Sequence, residues 1–224
     1  MICVAVSEST MTEMLASVGR AREMADLVEL RIDGLTGLRL DSLIEAAKPK
    51  PVIVTNRSAK EGGSFKGTER ERVDSLLQAL SLGADYVDLE WRTAASLREK
   101  LLSNRRKTKV IFSYHHFQHT PSRRHLLAKF RSIRESGADI AKIVTMAVSP
   151  ADNLTVLSLL EDARRESFPL VAFCMGAPGK ISRVATLALG GHITYAALEG
   201  GRETAPGQIS AGTLQRVIKE IGIL

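Results

Sequence analysis

Lys142 lies inside the apolar run Ala138-Asp139-Ile140-Ala141-Lys142-Ile143-Val144-Thr145-Met146, which reads as a buried strand. Lysine normally carries its ammonium to water along an apolar stem, and a mid-strand lysine between β-branched residues has little room for that. Burial favours the neutral amine, and a neutral amine attacks carbonyls. Schiff-base chemistry at Lys142 is therefore the first expectation, and it requires other reactive side chains nearby.

Such side chains recur at the ends of the other apolar runs. Glu29 and Arg31 share one face of Glu29-Leu30-Arg31-Ile32-Asp33 by the two-residue strand period, and Asp88 and Glu90 do the same in theirs. Thr55-Asn56-Arg57 leads into Glu61-Gly62-Gly63, and another run ends Ser113-Tyr114-His115-His116-Phe117. Cys174-Met175-Gly176 is followed by Lys180 and Arg183 at a helix start, and Tyr195 precedes Thr204-Ala205-Pro206-Gly207-Gln208. Each has a plain alternative. Paired charges also make structural ion pairs, Arg183 is an anion clamp or a surface cation, and a lone histidine is more often a satisfied one. His115, His116 and His119 together raise a metal reading, which no H-E-x-x-H or cysteine spacing supports. Walker, nucleophile-elbow, EF-hand and dinucleotide patterns are absent.

The elements that must hold these groups alternate. Strands are expected at 2–6, 27–32, 52–56, 86–90, 109–114, 140–145, 170–175 and 193–198. Helical patterns follow them at 10–24, 39–47, 68–82, 94–102, 121–136, 150–167, 181–189 and 211–221. Eight apolar strands, each followed by a helix, imply a parallel sheet closed as a single α/β domain, a (β/α)8 TIM barrel over residues 1–224. Barrel chemistry sits at the C-terminal ends of the strands, where the polar residues fall. A doubly wound open sheet would want a glycine-rich first turn, and Ser7-Glu8-Ser9-Thr10 offers none.

The 224 residues carry 31 Lys and Arg against 25 Asp and Glu, for a net charge of +6. The basic residues are dispersed, and aromatics make up 4%, so no stacking stripe for nucleic acid is present and an anionic small substrate accounts for the bias. No apolar stretch approaches the roughly 20 residues that span a bilayer, and the start Met1-Ile2-Cys3-Val4 lacks a basic leader, so a cytoplasmic location without membrane contact is expected. Cys3 and Cys174 lie in apolar runs and read as small buried hydrophobes.

Taken together, these segments resemble type I 3-dehydroquinate dehydratase, the Schiff-base dehydratase of the shikimate pathway. The resemblance runs through Glu29 to Asp33, Arg57 to Gly63, Asp88 to Glu90, Ser113 to Phe117, Lys142 to Val144, Met175-Gly176 with Ser182-Arg183, and Ala205 to Gln208. It implies that Lys142 attacks the C3 ketone of 3-dehydroquinate. His115 would take the C2 proton and return it to the departing C1 hydroxyl in a syn elimination, tasks that suit an imidazole titrating near neutrality. It implies further that Glu61 positions His115, Arg183 pairs with the substrate carboxylate, and Gln208 adds hydrogen bonds. Glu29, Arg31 and Arg57 would hold ring hydroxyls, with Thr204, Met175 and Tyr195 completing the binding site. No cofactor or metal is implied, and a homodimer is the family expectation.

Three departures stand out. Phe173 replaces a frequent methionine, His116 stands where acidic or amide residues are common, and the chain starts at its first strand without the hairpin that closes the barrel bottom in many relatives. The segment 199–205, with Gly200 and Gly201 as hinges, is expected to act as a lid. Two rival readings are a sugar-phosphate aldolase using the same lysine and a basic, non-enzymatic adaptor.

Overall fold

The computed structural model describes residues 1–201 and 203–223. Among them are the eight expected strands: β1 (Ile2–Val6), β2 (Leu27–Arg31), β3 (Val52–Thr55), β4 (Tyr86–Glu90), β5 (Lys109–His116), β6 (Ile140–Met146), β7 (Leu170–Met175) and β8 (Thr194–Ala197). They pair in the order β7-β6-β5-β4-β3-β2-β1-β8, and every pair is parallel. The two ends of this sheet meet where the His192 N–H donates to Leu170 O at 2.9 Å, so the (β/α)8 barrel is nearly closed.

The helices among the described residues are α1 (Met11–Met24), α2 (Leu40–Ala47), α3 (Glu69–Ser81), α4 (Ala95–Ser103), α5 (Arg123–Glu135), α6 (Ala151–Leu157), α7 (Leu159–Arg165), α8 (Lys180–Ala188) and α9 (Ala211–Glu220). Thr10, Thr68, Ser122 and Ser210 start four of them, each accepting from a backbone N–H three residues on. Thr68 and Glu71 form a full capping box, a contribution of about 1 kcal/mol. The helix expected over 150–167 is divided into α6 and α7 at Ser158, whose backbone stays in the right-handed helical region. Its hydroxyl donates to Thr155 O at 2.8 Å and accepts from Arg123 Nε.

Strand alternation separates two cores. Outward residues such as Val28, Leu30, Val87, Leu89, Phe112 and Ile143 pack against the helices. Inward residues divide by height. Cys3, Leu27, Ile53, Ile111, Ile140, Val171 and Ile193 fill the lower barrel, with Met1 and Tyr86 packed against them, and this side-chain plug closes the bottom. Cys3 and Cys174 are both buried and unpaired. Above the plug, the inward positions become Glu29, Thr55, Asp88, Ser113 and Lys142, all buried.

Candidate active site

Lys142 and Ser113 are register partners on β6 and β5, and Asp88 pairs with Thr55 across β4 and β3. These inward side chains therefore meet at one level of the barrel. Lys142 is 4% exposed; its Nζ donates to Asp88 Oδ2 at 2.9 Å, lies 3.7 Å from Glu29 Oε1, and sits 4.0 Å above the Tyr195 ring. Glu29 also accepts from Thr55 Oγ1 at 2.8 Å.

Asp88 is the hub. Its Oδ1 accepts from Arg57 Nη2 at 2.7 Å and from Ser113 Oγ at 2.6 Å, while Oδ2 holds Lys142. Burial opposes its ionisation, but the Arg57 guanidinium and then the Lys142 ammonium outweigh that and hold the carboxyl well below the usual carboxylate range. Arg57 divides its own donors between Asp88 and Ser113 and lies 3.2 Å from Glu90 Oε1. The sequence places Asp88 and Glu90 on one face without deciding between an ion pair and a site, because that choice depends on partners from β3 and β6.

His115 sits one inward position above Ser113. Its Nδ1 meets Glu61 Oε2 at 2.8 Å, and the same oxygen accepts the His115 backbone N–H at 3.2 Å. A carboxylate at Nδ1 selects the Nδ1–H tautomer and leaves Nε2 as the base. Glu61 reaches this place from a short 3-10 turn, Ala59–Glu61, capped by the Ser58 hydroxyl. Burial pushes the Glu61 carboxyl up to about 7, against the pull of Arg57. Burial, with Arg57 and Lys142, depresses the His115 imidazole well below its ordinary value, so the expectation of a histidine titrating near neutrality gives way to one that rests neutral. His116 points elsewhere: it is half-buried, its ring lies 4.2 Å from that of His119, and it does not line the cavity.

Arg183, from α8, is fully buried. Two long hydrogen bonds, to Tyr195 O at 3.3 Å and Pro206 O at 3.4 Å, are its polar contacts, and Nε has no partner. Among the described residues no carboxylate lies within ion-pair distance of it, and burial lowers it to about 10. The Phe173 ring lies 4.6 Å from its Cζ, a cation-π contact that a methionine would not make in this form. Arg31 instead forks onto Asp33 through Nε and Nη2 at 2.7 and 2.9 Å. Gln208 braces the loop after β8, accepting from the Thr204 N–H at 2.7 Å and donating to its hydroxyl at 3.1 Å.

One cavity, about 490 Å³ counted to its open mouth, is lined by all the expected site residues: Lys142, His115, Glu61, Glu29, Arg31, Arg57, Arg183, Thr204, Gln208, Met175 and Tyr195. Phe117, Val144, Phe173 and Ala205 add apolar wall. Of the expected lid, Thr204 and Ala205 line the cavity, and Arg202 lies outside the described residues. A buried amine, a carboxylate-oriented imidazole and a guanidinium without a counter-ion suit carbonyl addition, proton transfer at a neighbouring carbon, and capture of an anionic group.

Comparison with known proteins places the chain in a family. The profile of the family described as type I 3-dehydroquinase matches residues 2–224. A 3-dehydroquinate dehydratase of Methanothermobacter thermautotrophicus is 42% identical over 227 aligned residues, covering 98% of this chain and 96% of the relative. One from Desulfotalea psychrophila is 37% identical, covering 96% of each. The crystal structure of 3-dehydroquinate dehydratase from Geobacillus kaustophilus superposes with a TM-score of 0.88 at 30% identity, covering 99% of this chain and 90% of that one. With a profile spanning nearly the whole sequence and relatives aligned end to end, the chain belongs to the type I 3-dehydroquinase family.

Proposed function

We propose that this hydro-lyase removes water from 3-dehydroquinate to give 3-dehydroshikimate in the shikimate pathway, through an imine on Lys142. The observation that carries the reading is the convergence in one cavity of the Lys142 amine, the His115–Glu61 pair and the unpaired Arg183 guanidinium.

Arg183 takes the substrate carboxylate, offering the donors that the protein leaves open. Glu29, Arg31, Arg57, Thr204 and Gln208 orient the ring and its hydroxyls, and Met175 and Tyr195 pack against its apolar parts. Lys142 gives up its proton and adds as the free amine to the C3 carbonyl; the carbinolamine takes that proton back as its hydroxyl leaves as water, giving an iminium. The iminium withdraws electrons from C2. His115 Nε2 removes the C2 proton, the resulting enamine expels the C1 hydroxyl as His115 returns the proton to it, and one water leaves. Hydrolysis of the product iminium consumes the water released at its formation and restores Lys142, for a net loss of one water. The proposed setting is a cytoplasmic homodimer; no described helix is long and apolar enough to cross a membrane.

Borohydride reduction in the presence of 3-dehydroquinate, followed by peptide mass mapping, tests the mechanism. The adduct is expected on Lys142 and not in Lys142→Ala. His115→Ala should still trap the imine while failing to turn over, and His116→Ala should turn over normally. Folded wild-type protein that turns over substrate without trapping an adduct would sink the imine.

A further inference from the structure

Arg72, on α3, is 1% exposed and does not line the cavity. A guanidinium so deep in the fold and near the N-terminus of a helix opposes the helix dipole, so the helix gives no reason for it. Its donors are fully engaged. Nε and Nη2 fork onto the half-exposed Glu69 at 3.1 and 2.8 Å, Nη2 also reaches Thr93 Oγ1 at 2.7 Å, and Nη1 donates to Glu90 Oε2.

Two further contacts connect this group to the site. Arg72 Nη1 donates to Asn56 O at 3.0 Å, and Glu90 Oε1 accepts the Ser58 N–H at 2.8 Å. The Arg72–Glu90 pair therefore grips the backbone on both sides of Arg57, while Glu90 Oε1 also lies 3.2 Å from the Arg57 head. With Glu90 shared in this way, Arg57 keeps Nη2 for Asp88 at 2.7 Å.

We propose that Arg72 is a positioning residue for the reaction: by occupying Glu90 it fixes Arg57 on Asp88, and so divides Asp88 between Arg57 and Lys142. This rests on the imine reading above. Without Arg72, Glu90 is free to draw the Arg57 fork to itself. Asp88 is then left with Lys142 as its principal cation, and the ammonium is favoured over the attacking amine. The other groups facing Lys142 are Glu29 from β2, His115 from β5, Tyr195 from β8 and Cys3 from β1, and none of them touches Arg72.

The test is the pH profile of kcat/KM for 3-dehydroquinate in Arg72→Met and Arg72→Lys, with borohydride trapping run alongside and folding followed by circular dichroism. In Arg72→Met the acid limb should move to higher pH by about one unit, with about a tenfold loss of kcat/KM on that limb. Arg72→Lys keeps the charge but loses the fork and should lie between the two. Should Arg72→Met fail to fold, Arg72→Lys decides alone. A folded variant with the wild-type profile and rate overturns the proposal, as does a loss that tracks the folded fraction while the limb stays in place. Wild-type protein that turns over without trapping an adduct sinks the imine reading instead, and the variant profiles still report whether Arg72 positions Arg57.

Discussion

His115 Nδ1 and Glu61 Oε2 lie 2.8 Å apart in a buried pocket that discourages both from carrying charge. Burial is the leading cause on each side, opposed for Glu61 by Arg57 and reinforced for His115 by Arg57 and Lys142. On the proposed mechanism, a proton taken from substrate by the imidazole is offset directly by an ionised Glu61 at Nδ1, with buried Asp88 adding a more distant negative charge.

Glu61→Gln separates stability from activity. A carboxyl raised to about 7 contributes stability fully present below its ordinary value of 4.5 and lost as pH rises through 7. At roughly 1.4 kcal/mol per pH unit, the loss by neutral pH is on the order of a few kcal/mol. The glutamine variant has no such loss. Its melting temperature at pH 7 should equal or exceed that of the wild type, while turnover falls on the order of 100-fold because the carboxylate at Nδ1 no longer stabilises the imidazolium. Melting curves at pH 5 and pH 8 check the sign: the difference between the two proteins should grow with pH.

Asp88→Asn has the opposite linkage. Asp88 is depressed well below its ordinary 3.8, so its contribution is present above about pH 4 and is lost as pH falls below it. Removing its charge leaves Arg57 and Lys142 buried without their shared partner, a cost of about 3–5 kcal/mol. Denaturant melts at pH 7 should show that loss, narrowing as both proteins are taken toward pH 3. An equal difference at both pH values would contradict it.

The barrel was legible because its strands are buried on both faces, which makes runs such as Val110 to Phe112 and Ile140 to Val144 stand out. The residues of the candidate site were legible as a group because charged inward residues interrupt those runs at strand ends. What stayed hidden depends on third partners. Asp88 is a hub only once Arg57 and Lys142 arrive from two other strands, and Arg72 is a plain helix arginine until Glu90 comes within reach. The neutral resting state of His115 was also hidden, since sequence gives the residue but not the two cations beside it. The division of the helix at Ser158 was hidden as well, since helical periodicity runs through it.

Arg183→Met removes a buried cation that has no carboxylate partner among the described residues. Replacing an uncompensated buried charge with an apolar side chain of similar length should leave the ligand-free protein as stable or more so, by up to about 2 kcal/mol. KM should rise on the order of 100-fold, since the substrate carboxylate would lose the fork proposed for it. The decisive measurement is the substrate-induced shift in melting temperature, present in the wild type and absent in the variant.

Gly207→Ala tests whether the loop after β8 must seat against the end of β7. Gly207 has φ +76, and a Cβ there would lie 2.5 Å from Gly176 O, a backbone atom that cannot swing aside. Next to it, Pro206 O accepts both the Gly176 N–H at 3.0 Å and Arg183 Nη2 at 3.4 Å, so lifting the loop disturbs the proposed anion site and moves Thr204 and Gln208 with it. Gly190 provides the control: φ is +88, but nothing lies within 4 Å of its would-be Cβ, and it does not line the cavity. Both alanines meet a left-handed backbone penalty of about 1 kcal/mol. Only Gly207→Ala should also raise KM, by about tenfold or more, and an equal KM in the two variants would show that the seating against Gly176 has no part in substrate binding.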